Sequence, residues 1–136
     1  MGPLAAAMLA TGVPLRLRAS PPAGGRKRPR RSRFLVVLGL GPAWIRRVPS
    51  DRHPALVAHG EYLDRLFDAG LLLIAGPLLD HSGLVGLEAV TGAVLVLRAA
   101  KRQEARRLAT ADPAIRAGLL RVAEVRPWGM SFLRAE

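Results

Sequence analysis

Residues 51–77, DRHPALVAHGEYLDRLFDAGLLLIAGP, hold an amphipathic helix, its stop signal and a buried strand in direct succession. With Leu56 set at 0° and ~100° added per residue, Leu63, Leu66 and Phe67 fall between about −80° and +20°, while Glu61, Asp64, Arg65 and Asp68 fall between about 80° and 180°. One face is apolar and the other charged, the pattern of a helix laid on a core. Ser50 or Asp51 can cap its start by accepting an orphan backbone N–H, and Gly70 offers the left-handed residue that ends it. The helix is expected from about Asp51 to Ala69. Leu71-Leu72-Leu73-Ile74-Ala75 follows at once and is expected to stop at Gly76-Pro77, giving a strand packed back against the helix.

Apolar runs and turn signals continue on both sides of this stretch. Upstream, Phe34-Leu35-Val36-Val37-Leu38 is an apolar run ended by Gly39 and Gly41-Pro42, a buried strand, followed over residues 42–50 by a connection with Trp44 and Arg46-Arg47. Downstream, a turn-rich stretch from Asp80 to Gly86 leads to a third strand near Thr91 to Leu97. Lys101 to Ala111 reads as a second helix with Ala105, Leu108 and Ala109 inward. After Asp112-Pro113 a short connection passes Gly118 to a fourth strand, about Leu120 to Pro127, ending at Trp128. The order βαββαβ predicts an α+β fold of ferredoxin-like type, a four-stranded antiparallel sheet with both helices on one face.

A sheet with its second face in water alternates apolar and polar residues. The first three strands do not alternate, so something must cover that face, and a homodimer pairing two sheets is the economical answer. Glu124 and Arg126 interrupt the last strand on a shared face; in a central strand they need partners, each other or groups across the dimer.

The chain has 136 residues, 21 Lys+Arg against 10 Asp+Glu and a formal charge of +11. Eight basic residues and no acid lie in residues 1–33, so the remainder carries only +3. With its prolines and Gly24-Gly25, the segment 1–33 is expected to be a disordered basic leader ahead of a single domain over 34–136. Its charge admits nucleic-acid or membrane-surface contact, an export signal around Arg30-Arg31-Ser32-Arg33, an organelle transit role, or an extension without a role. Specific nucleic-acid recognition through stacked bases lacks material at 4% aromatic content. No run approaches the ~20 apolar residues of a membrane span, and a cytoplasmic location is expected. Without cysteine there is no disulfide framework, thiolate zinc site or cysteine nucleophile.

Chemistry has few candidates. His59 lies at about −60° on the wheel, inside the apolar arc, where it is either a core histidine bonded to backbone or a catalytic group. Asp112 before Pro113 either caps the next turn or partners a functional group. His53, at the helix start, reads as a solvent residue, and His81 follows Gly76-Pro77 closely enough to overhang a cleft. Trp44 and Trp128 line a pocket or plug the ends of the fold. Arg98 and Arg46-Arg47 either attract an anion or are solvated. The three histidines show no i, i+4 ligand pair, so no metal is expected. Gly39-Leu40-Gly41 is only a fragment of a dinucleotide fingerprint, with Trp44 where the third glycine belongs.

His59 with Tyr62-Leu63, Leu66, Gly70, Leu72-Leu73 and Gly76-Pro77, followed by Ala111-Asp112-Pro113, Gly118-Leu119, Val122, Val125 and Pro127-Trp128, resembles the signature of the YciI-like (YCII-related) family over about residues 34–132. The resemblance implies a dimeric α+β barrel of ferredoxin-like protomers, similar to muconolactone isomerases. It also implies a His-Asp dyad, here His59 and Asp112, in a cleft beside the sheet, with Trp44, Gly76, Pro77, His81 and Trp128 as candidate pocket-lining residues. The implied chemistry is lyase or isomerase proton transfer, including dehydrochlorinase-like elimination, on a small cyclic or aromatic substrate, with no cofactor. The alternative is the same dimeric barrel as a non-catalytic module that binds a small metabolite or serves as an accessory domain.

Overall fold

Strand β1 (Ser32–Leu40) opens the structure, a computed structural model that describes residues 32–134. All but the last two residues of the expected leader lie outside the described residues. Those two belong to the sheet: Ser32 pairs with Ala99 and Arg33 with Arg98. A ladder is made by backbone groups, so an exposed arginine side chain does not end it.

Helices α1 (Pro42–Arg46) and α2 (Pro54–Asp68) precede β2 (Leu72–Leu79), and a 3-10 turn at Leu87–Ala89 leads into β3 (Val90–Ala99). Helices α3 (Arg102–Thr110) and α4 (Pro113–Arg116) then lead to β4 (Leu120–Pro127). The strands pair antiparallel in the order β2-β3-β1-β4, the ferredoxin-like arrangement expected from the pattern. α1 and α4 occupy stretches whose sequence reads as plain connection. At five and four residues they are too short to display a helical period.

The start of α2 corrects the expected cap. Neither Ser50 nor Asp51 caps it; Nδ1 of His53 accepts the Ala55 N–H at 3.1 Å, while Ser50 Oγ accepts from Arg52 N–H. Pro54 at the first helical position has no N–H, so the first donor to be satisfied is Ala55, and the residue placed to reach it is His53. At the other end Gly70 has φ +76°, with Gly70 N–H to Phe67 O at 3.0 Å and Leu71 N–H to Leu66 O at 2.9 Å, the paired bonds of a left-handed helix stop.

β2 does not stop at Gly76-Pro77 but runs through both to Leu79. It pairs only with β3, and an edge strand tolerates proline because the missing donor can face outward. β4 is the other edge, which answers the question posed by Glu124 and Arg126. Opposite Val37 and Leu35, they lie exposed on one face and pair with each other, Nε to Oε1 at 3.4 Å.

The core lies between sheet and helices. Phe34, Val36 and Leu38 of β1 and Leu95 and Leu97 of β3 are buried with Leu56, Leu63 and Leu66 of α2 and Ala105 and Ala109 of α3. Trp44 of α1 is in the same cluster, 2% exposed. At the end of β1, Gly41 N–H donates to Leu119 O at 2.8 Å and Ala43 N–H to Gly118 O at 3.0 Å. A Cβ on Gly41 would lie 2.1 Å from Gly118 O, so this close approach requires glycine. Gly41 thus serves to lock α1 against the turn between α4 and β4.

Candidate functional site

The apolar face of α2 carries His59 inward among Leu56, Leu63 and Leu66, and the imidazole is fully buried. α2 packs on α4, and the α3–α4 turn presents Asp112 to it. Nδ1 of His59 and Oδ2 of Asp112 are 2.5 Å apart, both side chains being essentially inaccessible.

Asp112 does two things at once. Its Oδ1 accepts the Ala114 N–H at 2.8 Å and caps α4, as a residue before Pro113 is placed to do. Its Oδ2 is left for the imidazole. The two readings of Asp112 in the sequence are therefore not alternatives, because each carboxylate oxygen serves one of them. For His59, the partner is a carboxylate and not a backbone carbonyl.

The pairing sets the chemistry of the ring. A carboxylate can only accept, so Nδ1–H donates to Oδ2, and in the neutral ring Nε2 holds the lone pair. His59 Nε2 is the one buried side-chain nitrogen or oxygen without a hydrogen-bond partner among the described residues. Such an atom costs about 1–3 kcal/mol. An imidazole fixed in one tautomer with an unshared lone pair can take a proton, and the carboxylate behind it stabilises the cation that results.

Tyr62, one turn further along α2, is a part of this site that the sequence reading leaves without a role. Its Oη–H donates to Leu108 O at 2.6 Å. That carbonyl lies in the last turn of α3, where acceptors lose their intrahelical donors; Asp112 N–H, four residues on, bonds Ala109 O instead, at 3.2 Å. Burial first, and then the charge of Asp112, hold the phenol pKa above its ordinary 10.0, against a lowering by Arg65. The Arg65 guanidinium carbon stands 5.7 Å from the ring centroid. The available signal was the three-residue spacing from His59, which puts both on one side of the helix; the acceptor, being a backbone carbonyl, has no mark in the sequence.

The candidate pocket-lining residues are dispersed. Trp44 is in the core. Gly76 and Pro77 are half-buried in the edge strand β2. His81 is exposed in the turn after it, where Asp80 Oδ1 accepts from both Ser82 N–H and Ser82 Oγ–H. Trp128 is 39% exposed just past β4, its backbone N–H donating to Arg33 O. None of the five hydrogen-bonds to His59 or Asp112. Among the described residues no helix is long and apolar enough to cross a membrane.

The family model for the YCII-related domain matches residues 41–129. Among solved structures the chain is similar to 5-chloro-2-hydroxyhydroquinone dehydrochlorinase from Burkholderia phenoliruptrix AC1100, in complex with 2,5-dihydroxybenzoquinone. The identity is 25% and the TM-score 0.57, over 73% of this chain and 95% of that one. A search of curated protein sequences gives no match.

Proposed function

Since the chain belongs to the YCII-related domain family, we propose that it is a small enzyme of lyase or isomerase type in which His59 moves a proton and Asp112 orients and supports it. One observation carries the reading: the buried, unpartnered Nε2 of His59, on a ring whose other nitrogen is committed to a carboxylate. A histidine kept only for packing gains nothing from that arrangement. In the proposed step Nε2 takes a proton from a substrate C–H or O–H. The electron pair left behind forms the new double bond; in an elimination a leaving group departs with its own pair, and in an isomerisation the pair of the neighbouring double bond shifts to the atom that is then reprotonated. The imidazolium then returns the proton to water or, in an isomerisation, to another position of the substrate.

The substrate class is a small cyclic or aromatic compound, halogenated hydroxyquinols first, by similarity to the dehydrochlorinase. The partner is a second copy of the chain through the open sheet face. Because His59 is fully covered in the single chain, substrate entry includes displacement of that cover. The same burial favours a second reading, a non-catalytic metabolite-binding or accessory module in which the dyad only ties α2 to the α3–α4 turn.

Halide release from a panel of chlorinated hydroxyquinols and phenols separates the two. The enzyme reading expects turnover by the wild type and a loss of about 10²–10⁴-fold in a folded His59→Gln protein. No turnover across the panel, with His59 ring resonances unmoved by any of the compounds, selects the module.

A further inference from the structure

We propose that Tyr62 is a positioning residue for the dyad: by donating to the open carbonyl of Leu108 it fixes the α3–α4 turn at the place where Asp112 meets Nδ1 of His59. The proposal rests on the reading of His59 and Asp112 as a working pair, and it adds a third member that acts on them through the α3–α4 turn.

The geometry gives Tyr62 this task. His59 and Tyr62 stand three residues apart on α2 and grip one short turn at two points, Asp112 and the Leu108 carbonyl. Asp112 cannot hold the turn alone, because its other oxygen is tied to Ala114 at the start of α4. A carboxylate shared between α2 and α4 follows whichever of them moves. The Tyr62 bond fastens the opposite side of the turn to α2, so a shift of α3 or α4 is resisted before it reaches the His59–Asp112 contact. The acceptor suits the role as well. Leu108 O lies past the reach of the α3 ladder, so the phenol satisfies a carbonyl that otherwise needs water. Loss of the hydroxyl removes a hydrogen bond and releases the segment that carries Asp112.

Tyr62 is the only tyrosine in the chain, which makes a clean experiment possible. Ring-nitrogen and Nδ1–H NMR signals of His59 are recorded in the wild type, in Tyr62→Phe, in a Leu66→Val control, and in protein whose single tyrosine is replaced by fluorotyrosines of increasing acidity. Tyr62→Phe is expected to move the Nδ1–H signal upfield as its bond to Asp112 lengthens. Leu66→Val weakens the core without touching the turn and leaves the signal in place. The fluorotyrosine proteins keep a downfield signal and shift it in step with donor strength, and they decide the matter even where Tyr62→Phe does not fold. A His59 signal that stays unmoved both in folded Tyr62→Phe and along the fluorotyrosine series overturns the proposal. A wild-type ring that carries its proton on Nε2 is a different result, because it removes the working dyad itself.

Discussion

Asp112 holds two donors that belong to different helices, and substitution can separate them. In Asp112→Asn the carbonyl oxygen still caps Ala114, but the amide NH₂ replaces the oxygen that faces His59. A donor there cannot meet Nδ1–H, so the ring proton moves to Nε2 and the lone pair turns toward the new amide. Stability is expected to fall by only about 1 kcal/mol, because a hydrogen bond survives without its charge. Proton transfer is expected to fall about 10²–10⁴-fold. Asp112→Ala removes cap and partner together and is expected to cost roughly 2–4 kcal/mol by urea denaturation. Equal stability losses in the two variants would contradict the division of labour between the oxygens. Tyr62 adds a pH dependence of known sign. Its folded-state pKa is raised above 10.0 by burial and by Asp112, so its contribution is complete below that value, where folded and unfolded chains are both protonated. Above it the unfolded chain ionises first, and stability falls as the pH rises toward the folded value. Relative to Tyr62→Phe, the wild type is therefore expected to lose stability more steeply above pH 10.0, as read by urea denaturation.

At the level of elements, α1 and α4 matter more than their length suggests, because the Gly41 contact fixes the turn at the end of α4, the short helix whose start Asp112 caps. Gly41→Ala puts a Cβ 2.1 Å from Gly118 O and 2.7 Å from Gly118 C, backbone atoms that cannot rotate away. The two hydrogen bonds of the clasp must open, at an expected cost of about 2 kcal/mol or more in thermal melting. Gly76→Ala, with nothing within 4 Å of the added carbon, is the matched control and is expected to change little. These contacts also mark the limit of what the sequence displays. The long, strongly periodic α2 and the apolar runs of β1, β2 and β3 are legible because their patterns recur over many residues. The helix cap fell to His53 because Pro54 removed the first donor, and β2 continued through Pro77 because edge position is a property of the whole sheet, which no local pattern encodes. His59 and Asp112 were legible singly, the first from its place in the apolar arc and the second from the proline after it, and together through the resemblance. That one carboxylate serves both a cap and an imidazole, and that Tyr62 reaches a backbone carbonyl, are facts of tertiary approach.

For the whole molecule the question is what covers the second face of the sheet. Helices cover one side; on the other, Leu35, Val37 and, opposite it, Val94 are partly exposed, with Ile74 and Leu78 beside them 43% and 40% exposed. Contiguous apolar surface of this kind marks an association site, and a second copy offers the same surface in return. The charges on this face qualify how two copies would meet. By strand alternation Arg33 and Arg98 share it as a cross-strand pair, Arg126 shares it with its partner Glu124, and the Arg121 guanidinium lies over Gly39. Pairing two such faces brings like charges together at the rim while burying valines and leucines at the centre. Salt screens the first effect and leaves the second, so association is expected to tighten as ionic strength rises, the reverse of an interface held by ion pairs. Sedimentation at micromolar concentration is expected to show a dimer whose dissociation constant falls between low and moderate salt. Val37→Glu places a carboxylate in the apolar centre and is expected to give a folded monomer with its helical circular dichroism intact. A wild-type chain that sediments as a monomer at every salt concentration would refute the pairing. It would also leave Leu35, Val37 and Val94 as surface that only a different partner could cover.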